Sequence, residues 1–422
     1  MDTREQADRT DRTDRPTDRR PARPAGTGAP VATLAYLGTG HVDPQRLGAA
    51  LGRVARRHPE LRAGGVETIE VPGDGWGAVD HALKLVEARG ARRSAPADGA
   101  LLRAALHQWP NGTLLIVEAP GAAVDGAALP VLEREIERAY AQESAREDAP
   151  ENTAAAHRAA RERVREGLDL ATLGAEWITY LDSAPPVDWP VRDALPADGP
   201  APRLRVPVER RVLDALVRRA GSPGTTPALA LFAVYGLALA RYTGQRDFRV
   251  GLRVPGRAEL WQWSVVAHLA DVLPVRVRAV ADAGPPASYR DVLRSADFAL
   301  LRQWAAPRHP EEIRTVFTDR PLCASRTLSL GDAELAPAHV PRHSNDSDLT
   351  VELLDPARPD GRLDLVLTSD PAVLGPDALR AFGDVLLRTA HELADGPADE
   401  TAEETADETA SAPAHEPAPE GQ

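Results

Sequence analysis

Residues 113–140, TLLIVEAPGAAVDGAALPVLEREIERAY, decide how the rest of the chain is interpreted. The apolar run at residues 114–117 has the composition of a strand, and a loop of small residues follows it at 119–124. Asp125 and Gly126 then open a segment whose apolar residues recur at the spacing of one buried helix face. This predicted face consists of Leu129, Leu132, Ile136 and Tyr140.

The order of strand, loop, Asp-Gly and helix is typical of a functional site, yet the loop contains no reactive side chain. Residues 120–124 are Pro, Gly, Ala, Ala and Val. None of these side chains can donate or accept a proton or act as a nucleophile. Any functional interpretation of the chain has to account for that absence.

Length and composition favour a globular protein of two domains, since the chain has 422 residues and is 43% hydrophobic. The net charge is -13, so the chain lacks the excess of basic residues that is typical of nucleic-acid-binding proteins. The single cysteine, Cys323, excludes an intrachain disulfide and fits a reducing compartment. The sequence contains neither a secretory signal nor an apolar run of about 18 residues. We therefore expect a cytoplasmic monomer that contacts neither membranes nor nucleic acids.

Four segments are predicted along the chain. Residues 1–30 alternate Asp, Arg and Thr with prolines, and residues 395–422 are rich in acids, Ala and Pro. Both lack apolar periodicity and are predicted to be disordered. Between them, a proline-rich stretch at 184–202 predicts a boundary between an N-terminal lobe, 31–190, and a C-terminal lobe, 191–394. Strand and helix patterns are mixed in both lobes, which predicts an α+β fold.

Helix termini give the sharpest local predictions. Pro44 directly follows an aspartate, and Pro227 directly follows two threonines, so each is predicted in the first turn of a helix. The second of these helices is almost wholly apolar at residues 228–240, which predicts that it is buried on all sides, and it should end before Gly244. A further helix is predicted near residues 207–219.

Several separated blocks resemble the condensation domains of nonribosomal peptide synthetases, members of the chloramphenicol-acetyltransferase-like superfamily. The resemblance extends over about residues 31–394, with the blocks in the family's order and spacing. It implies two chloramphenicol-acetyltransferase-like lobes in a V-shaped pseudo-dimer, with an interlobe tunnel that carrier-protein-bound substrates enter from opposite faces. The matching blocks are VDPQRLGAALGRVARRHPELRA from Val42, the stretch quoted above, TTPALALFAVYGLALARYTGQRDFRVGLRVPGR from Thr225, HLADVLPVRV from His268 and APRHPEEI from Ala306.

The family's signature, His-His-x-x-x-Asp-Gly, is only half present. Asp125 and Gly126 match its last two residues, whereas Pro120 and Gly121 stand at its histidine positions. In the family the second histidine is usually assigned as a general base or as the residue that positions the attacking amine, and Gly121 can do neither with a side chain. The resemblance also implies that Asp125 is structural and is held by an arginine of the second lobe, for which Arg257 is the candidate. A helix cap is the simpler interpretation of Asp125, and the two are compatible.

A relocated base is one possibility. By the resemblance, His268 and Asp271 lie near the junction of the lobes, where they could act as a base and the acid that orients it. On a strand, however, residues three positions apart point to opposite faces, so a packed histidine is the favoured interpretation. This block also departs from the family, because Ala267 and Asp271 replace its usual Gly and Asn.

The remaining histidines and the cysteine favour structural interpretations. His58 follows a helix, where a positive group interacts well with the helix dipole. His309 lies in a block that is more often structural. His339 and His343 have an HxxxH spacing, but no helix or third ligand accompanies them, so no metal site is predicted. Cys323 is expected to be a small buried apolar residue.

The retained pattern around a loop without histidine predicts a divergent, free-standing condensation-domain-like protein of nonribosomal peptide or hybrid metabolite biosynthesis. It would bind acyl or peptidyl intermediates that phosphopantetheine tethers to a carrier protein or synthetase module, and could promote amide or ester formation by positioning them. One alternative is a non-catalytic module that recruits a carrier protein or a tailoring enzyme. Another is an acyltransferase that uses free acyl thioesters. No metal ion or other cofactor is expected.

Overall fold

The computed structural model describes residues 31–71, 77–85 in part, 101–141, 153–190, 201–279, 285–307, 313–319, 326–338, 347–354 and 362–396. Within these ranges the chain has an α+β fold, as predicted, with two six-stranded sheets. His309, Cys323, His339, His343 and most of the two segments predicted to be disordered lie outside the described residues. In the ranges given above, no helix is long and apolar enough to cross a membrane.

Strands and helices are interspersed along the part of the chain that the structure describes. The strands are β1 (Val31–Thr39), β2 (Arg62–Glu70), β3 (Leu101–Trp109), β4 (Gly112–Pro120), β5 (Arg203–Val208), β6 (Asp247–Val254), β7 (Asp271–Arg278), β8 (Thr315–Asp319), β9 (Leu328–Leu330), β10 (Ala333–Ala338), β11 (Leu349–Leu354) and β12 (Leu363–Ser369). The helices are α1 (Pro44–Arg57), α2 (Leu129–Ala141), α3 (Ala154–Glu166), α4 (Leu170–Leu181), α5 (Arg210–Arg219), α6 (Pro227–Thr243), α7 (Pro285–Leu301) and α8 (Pro376–Asp395).

The first sheet has the strand order β2-β3-β4-β1-β10-β9. Its interior strand β4 is antiparallel to β1, with Pro120 opposite Val31 at one end of the pair. Helices α1 and α2 bury apolar side chains against this sheet, among them Leu47, Leu132 and Ile136. Because β4 is paired on both sides and α2 is packed on the sheet, both ends of the loop that joins them are fixed.

The second sheet has the strand order β5-β12-β11-β8-β6-β7. Helix α6 is buried on all sides, as its apolar sequence predicted, and it packs with α7 and α8 in the largest core of the described residues. Strands β6 and β7 are antiparallel, with Val254 opposite Asp271. The segment that leaves β6 and the segment that enters β7 therefore lie side by side at this edge of the sheet.

The predicted boundary near residue 190 is not followed strictly by the sheets. Strands β9 and β10 come late in the chain, within the predicted C-terminal lobe, yet they extend the first sheet through the antiparallel pair of β10 and β1. Trp177 of α4, Val187 and Trp189 are buried in the core of the second half although they precede the boundary. The division into lobes 31–190 and 191–394 stays a prediction, and these elements cross it.

Two local predictions were wrong at their edges. Helix α2 begins at Leu129 and not at Asp125, because residues 121–128 form turns in which the Asp125 side chain accepts a hydrogen bond from Ala128 N at 3.0 Å. The helix predicted near 207–219 begins at Arg210, and the residues before it form β5, which pairs with β12. The alternation of apolar residues in β5 is too short to distinguish a strand from the start of the following helix.

Candidate functional site at the junction of the two halves

The loop after β4 is built by backbone turns. Ala123 N and Val124 N both donate to Pro120 O, at 2.9 and 3.0 Å, and these bonds turn the chain back at the end of the strand. We call residues 121–128 the junction loop. Oδ1 of Asp125 accepts a hydrogen bond from Ala128 N in the turn that leads into α2. One of the two carboxylate oxygens thus acts as the predicted helix cap would.

The other oxygen of Asp125 reaches the second half of the chain. Oδ2 accepts hydrogen bonds from Arg257 Nη1 at 2.8 Å, from Leu269 N at 2.8 Å and from Ala270 N at 2.9 Å. The ion pair is buried, since the side chains of Arg257 and Asp125 are 0% and 3% exposed. A buried carboxylate needs such compensation, because burial removes its hydration.

Arg257 uses its remaining donors on the backbone around it. Nε donates to Gln262 O at 3.2 Å, Nη1 also donates to Pro255 O at 2.9 Å, and Nη2 donates to Val265 O at 3.3 Å and Ala267 O at 3.2 Å. The guanidinium holds residues 265 and 267, and Asp125 holds residues 269 and 270. Together they fix the path of residues 265–270, which we call the facing segment. We call Asp125 and Arg257, with these bonds, the clamp.

His268 lies in the facing segment, between residues that the clamp holds. It is exposed and precedes β7, so the expectation of a packed histidine on a strand was wrong. The reason is a long-range contact: Leu269 N and Ala270 N bond to Asp125, and the strand begins only at Asp271. His268 Nδ1 lies 2.6 Å from Gly121 O, across the junction from its own segment.

Asp271 does not orient His268. It is half-buried at the start of β7, where its Oδ1 accepts from Val272 N at 2.9 Å. The hydrogen bond of His268 Nδ1 goes instead to the carbonyl of Gly121. The structure thus brings together five of the predicted site residues, Gly121, Asp125, Gly126, Arg257 and His268, in one junction, with Pro120 ending the strand beside it and Asp271 beginning the next.

His157 is a junction residue that the sequence did not reveal. It is buried on α3, and its Nε2 lies 2.9 Å from Gly256 O, next to Arg257. Burial lowers the pKa of His157, and the positive charges of Arg161, Arg257 and Arg158 lower it further against the opposite effect of the Gly256 carbonyl. His157 is therefore neutral near pH 7. The available signal was the apolar spacing of Ala154 and Ala160 around it on a charged helix.

A cavity of about 150 Å³ borders the clamp on the side of α3 and α7. The guanidinium carbon of Arg161 lies 5.5 Å from the centre of the Trp304 ring at this cavity, a cation–π arrangement. The cavity combines apolar walls with charged groups at its edge. Its lining residues are Arg161, Val254, Pro255, Gly256, Arg257, Ala258, Asp271, Leu273, Leu300, Gln303 and Trp304.

A second buried histidine, His58, has a structural role. His58 follows α1, and its Nε2 lies 2.6 Å from Glu135 Oε2 on α2. This contact joins the two helices that cover the first sheet. Over the part of the chain that the structure describes, no group of three or more His, Cys, Asp or Glu residues is arranged to hold a metal ion.

The chain is similar to known condensation-domain sequences over its middle portion. The family described as Condensation domain matches residues 90–294. The phosphinothricin tripeptide synthetase PhsC of Streptomyces viridochromogenes is 29% identical over 216 residues, which cover 45% of this chain and 19% of the synthetase. The chain thus matches less than a fifth of the length of this curated relative.

Solved structures with a similar fold cover most of the chain. The X-domain from teicoplanin biosynthesis has a TM-score of 0.72 and 19% identity over 90% of this chain and 93% of its own. The complex of the X-domain and OxyB from teicoplanin biosynthesis gives 0.70 and 18%, over 89% of this chain and 91% of that chain. SgcC5 from Streptomyces globisporus gives 0.66 and 20%, over 86% and 92%. The fold of the chain is therefore similar to those of these solved structures, and residues 90–294 match the Condensation domain family.

Proposed function

We propose that this chain is a divergent condensation-domain protein of nonribosomal peptide or hybrid metabolite biosynthesis. It binds acyl or peptidyl intermediates tethered to a carrier protein in a tunnel between two lobes, and it promotes amide or ester formation by positioning the reactants. The observation that carries the proposal is the clamp, because Asp125 and Arg257 join the junction loop to the facing segment through buried, charge-assisted hydrogen bonds.

Such an arrangement is suited to holding two reactants in one geometry. A bimolecular step becomes effectively intramolecular when both reactants are bound, and good alignment can supply as much as about 7–11 kcal/mol of the barrier. Pro120 and Gly121 offer no side chain that exchanges protons. Positioning is therefore the contribution that the junction loop itself can make.

Product formation tests this proposal directly. The protein is incubated with an acyl-loaded carrier protein and an amine or alcohol acceptor, and the product is followed by mass spectrometry. We expect faster formation than in buffer for a cognate pair, and no acceleration with any pair would contradict the proposal. The variant Gly121→His places a histidine at the second histidine position of the signature. A rise in activity in that variant would support a junction that is still built for bond formation.

A second candidate function is the non-catalytic recruitment of a carrier protein, a synthetase module or a tailoring enzyme. Two observations support it: the TM-score to the X-domain is higher than that to SgcC5, and that X-domain has been solved in a complex with OxyB. This function predicts a stable complex in a pull-down with the purified partner. It also predicts that replacing His268 with a residue that preserves folding leaves that complex intact.

A further inference from the structure

We propose that His268 is the proton acceptor of the junction, and that its Nε2 takes the proton that an attacking amine loses. This inference rests on the proposed bond-forming function and assigns a role to a residue outside the junction loop. Its basis is the contact of His268 Nδ1 with Gly121 O at 2.6 Å, together with the exposure of the histidine side chain.

The hydrogen bond fixes the tautomer of His268. A backbone carbonyl oxygen can only accept a hydrogen bond, so Nδ1 must carry the proton in this contact. In the neutral imidazole the lone pair then lies on Nε2, which is the form that can accept a proton. The carbonyl of Gly121 thus fixes the orientation and tautomer of the His268 ring, as a carboxylate does for the histidine of a catalytic triad.

The backbone on both sides of His268 is held by the clamp. Ala267 O accepts from Arg257 Nη2 at 3.2 Å, and Leu269 N donates to Asp125 Oδ2 at 2.8 Å. The ring is therefore restrained both through its own backbone and through Gly121. Such restraint is what a reacting group requires, because small errors in position cost large factors in rate.

Asp125 cannot take the same role, although it is the ionisable residue of the junction loop. Its side chain is 3% exposed, and its two oxygens accept the four hydrogen bonds described above. A substrate amine would have to displace one of those donors in order to reach it. His268, by contrast, is exposed, and its Nε2 points away from the bond to Gly121.

The proposed step is balanced as follows. The nitrogen lone pair of a neutral amine attacks the thioester carbonyl carbon, the C–N bond forms, and the C–S bond breaks. The proton lost by the nitrogen goes to Nε2 of His268 and then to the thiolate sulfur that leaves. The products are an amide and a free thiol, and the imidazole returns to its starting state.

Two variants distinguish a proton-accepting role of His268 from a purely structural one. His268→Asn keeps an N–H donor near the position of Nδ1 and removes the Nε2 acceptor, so a structural role predicts nearly normal activity. A proton-accepting role predicts a loss of about 10²- to 10⁴-fold in the rate of amide formation, with KM little changed. His268→Ala removes both nitrogens, and added imidazole should restore part of its rate.

The experiment measures amide formation by the full chain, with an acyl-loaded carrier and an amine acceptor, across a range of pH. A proton-accepting role predicts that the dependence of the rate on pH differs between the wild type and His268→Asn. A rate for His268→Asn within about threefold of the wild type, with the same pH profile, would overturn the inference. Should either variant prove less stable in urea, imidazole rescue of His268→Ala decides: rescue supports the role and its absence overturns it. A wild type without activity would instead overturn the proposed function, and this inference with it.

Discussion

The buried and the exposed sides of the junction differ in how strongly their side chains are bound to the rest of the protein. On the buried side, Asp125 and Arg257 hold each other and the surrounding backbone through hydrogen bonds that leave little of either group exposed to water. On the exposed side, His268 approaches the half-buried Gly121 from the facing segment. Losing one member of a buried pair strands a charge, whereas exchanging an exposed histidine costs the fold little. The buried side of the junction is therefore expected to tolerate substitution less well than the exposed side.

The largest expected effect comes from removing the carboxylate of the clamp. Asp125→Ala leaves the guanidinium of Arg257 buried without its counter-charge and leaves Leu269 N and Ala270 N without their acceptor. We expect the free energy of unfolding to fall by about 3–5 kcal/mol. Urea denaturation followed by circular dichroism measures it.

An exposed ion pair supplies the matched control for this variant. Arg210 and Asp214 are 2.9 Å apart with side chains that are 64% and 43% exposed, so Asp214→Ala should change the free energy of unfolding by less than about 1 kcal/mol. Equal losses for Asp125→Ala and Asp214→Ala would show that the buried side of the junction is not special.

The next effect tests how closely the facing segment is packed. Gly256 has φ of +64°, and a Cβ at this position would lie 2.0 Å from Leu269 O, next to His268. Gly256→Ala must therefore move the backbone, and we expect a loss of about 2–4 kcal/mol from strain and displacement together. Gly244 also has a positive φ, +76°, but open space around its Cβ position. Gly244→Ala should cost only about 1 kcal/mol, and similar values for both variants would contradict the close packing.

Arg257→Lys asks whether charge alone is enough for the clamp. The lysine ammonium can pair with Asp125, but it lacks the planar arrangement of donors with which Arg257 also bonds Val265 O and Ala267 O. We expect a loss of about 1–3 kcal/mol in urea unfolding, smaller than that for Asp125→Ala. A stability equal to that of the wild type would show that the ion pair alone stabilises the clamp and that the bonds of Arg257 to the backbone contribute nothing measurable.

The smallest expected effect is a pH dependence that comes from His157. Burial holds the pKa of this histidine below its ordinary value of 6.5, so the unfolded chain binds a proton at a higher pH than the folded chain. The contribution to stability is thus complete above about pH 6.5 and is lost as the pH falls below it. His157→Gln, which keeps a donor for Gly256 O, should reduce the loss of stability between pH 7.5 and pH 5.5. An unchanged loss would assign the acid sensitivity to other groups.

The sequence predicted the parts of the fold that local hydrogen bonds decide. Asp43 caps α1 by accepting from Gln45 N at 2.8 Å, and Thr226 caps α6 by accepting from Leu229 N at 3.2 Å. Gly244 ends α6 with the positive φ that glycine adopts without strain. The predicted helix starts at Pro44 and Pro227 and the predicted end before Gly244 were confirmed, because each depends on neighbours within a few residues along the chain.

Contacts between distant residues were predicted less well. The pair of Asp125 and Arg257 was expected only from the resemblance to a family, since nothing local joins residues so far apart. The contact between His268 and Gly121 was missed because the periodicity of a strand was assumed for residues 268–271. The clamp bonds Leu269 N and Ala270 N and so delays the strand, and no pattern in the facing segment alone reports that.

The most direct test of the account compares two sources of the same acyl group. Amide formation is measured in a single turnover by mass spectrometry, with the acyl group either on a carrier protein or on coenzyme A, and with the same amine acceptor. We expect product above the buffer rate from the carrier thioester, and faster formation than from the coenzyme A thioester. No acceleration with the carrier thioester, or equal rates from both thioesters, would contradict it.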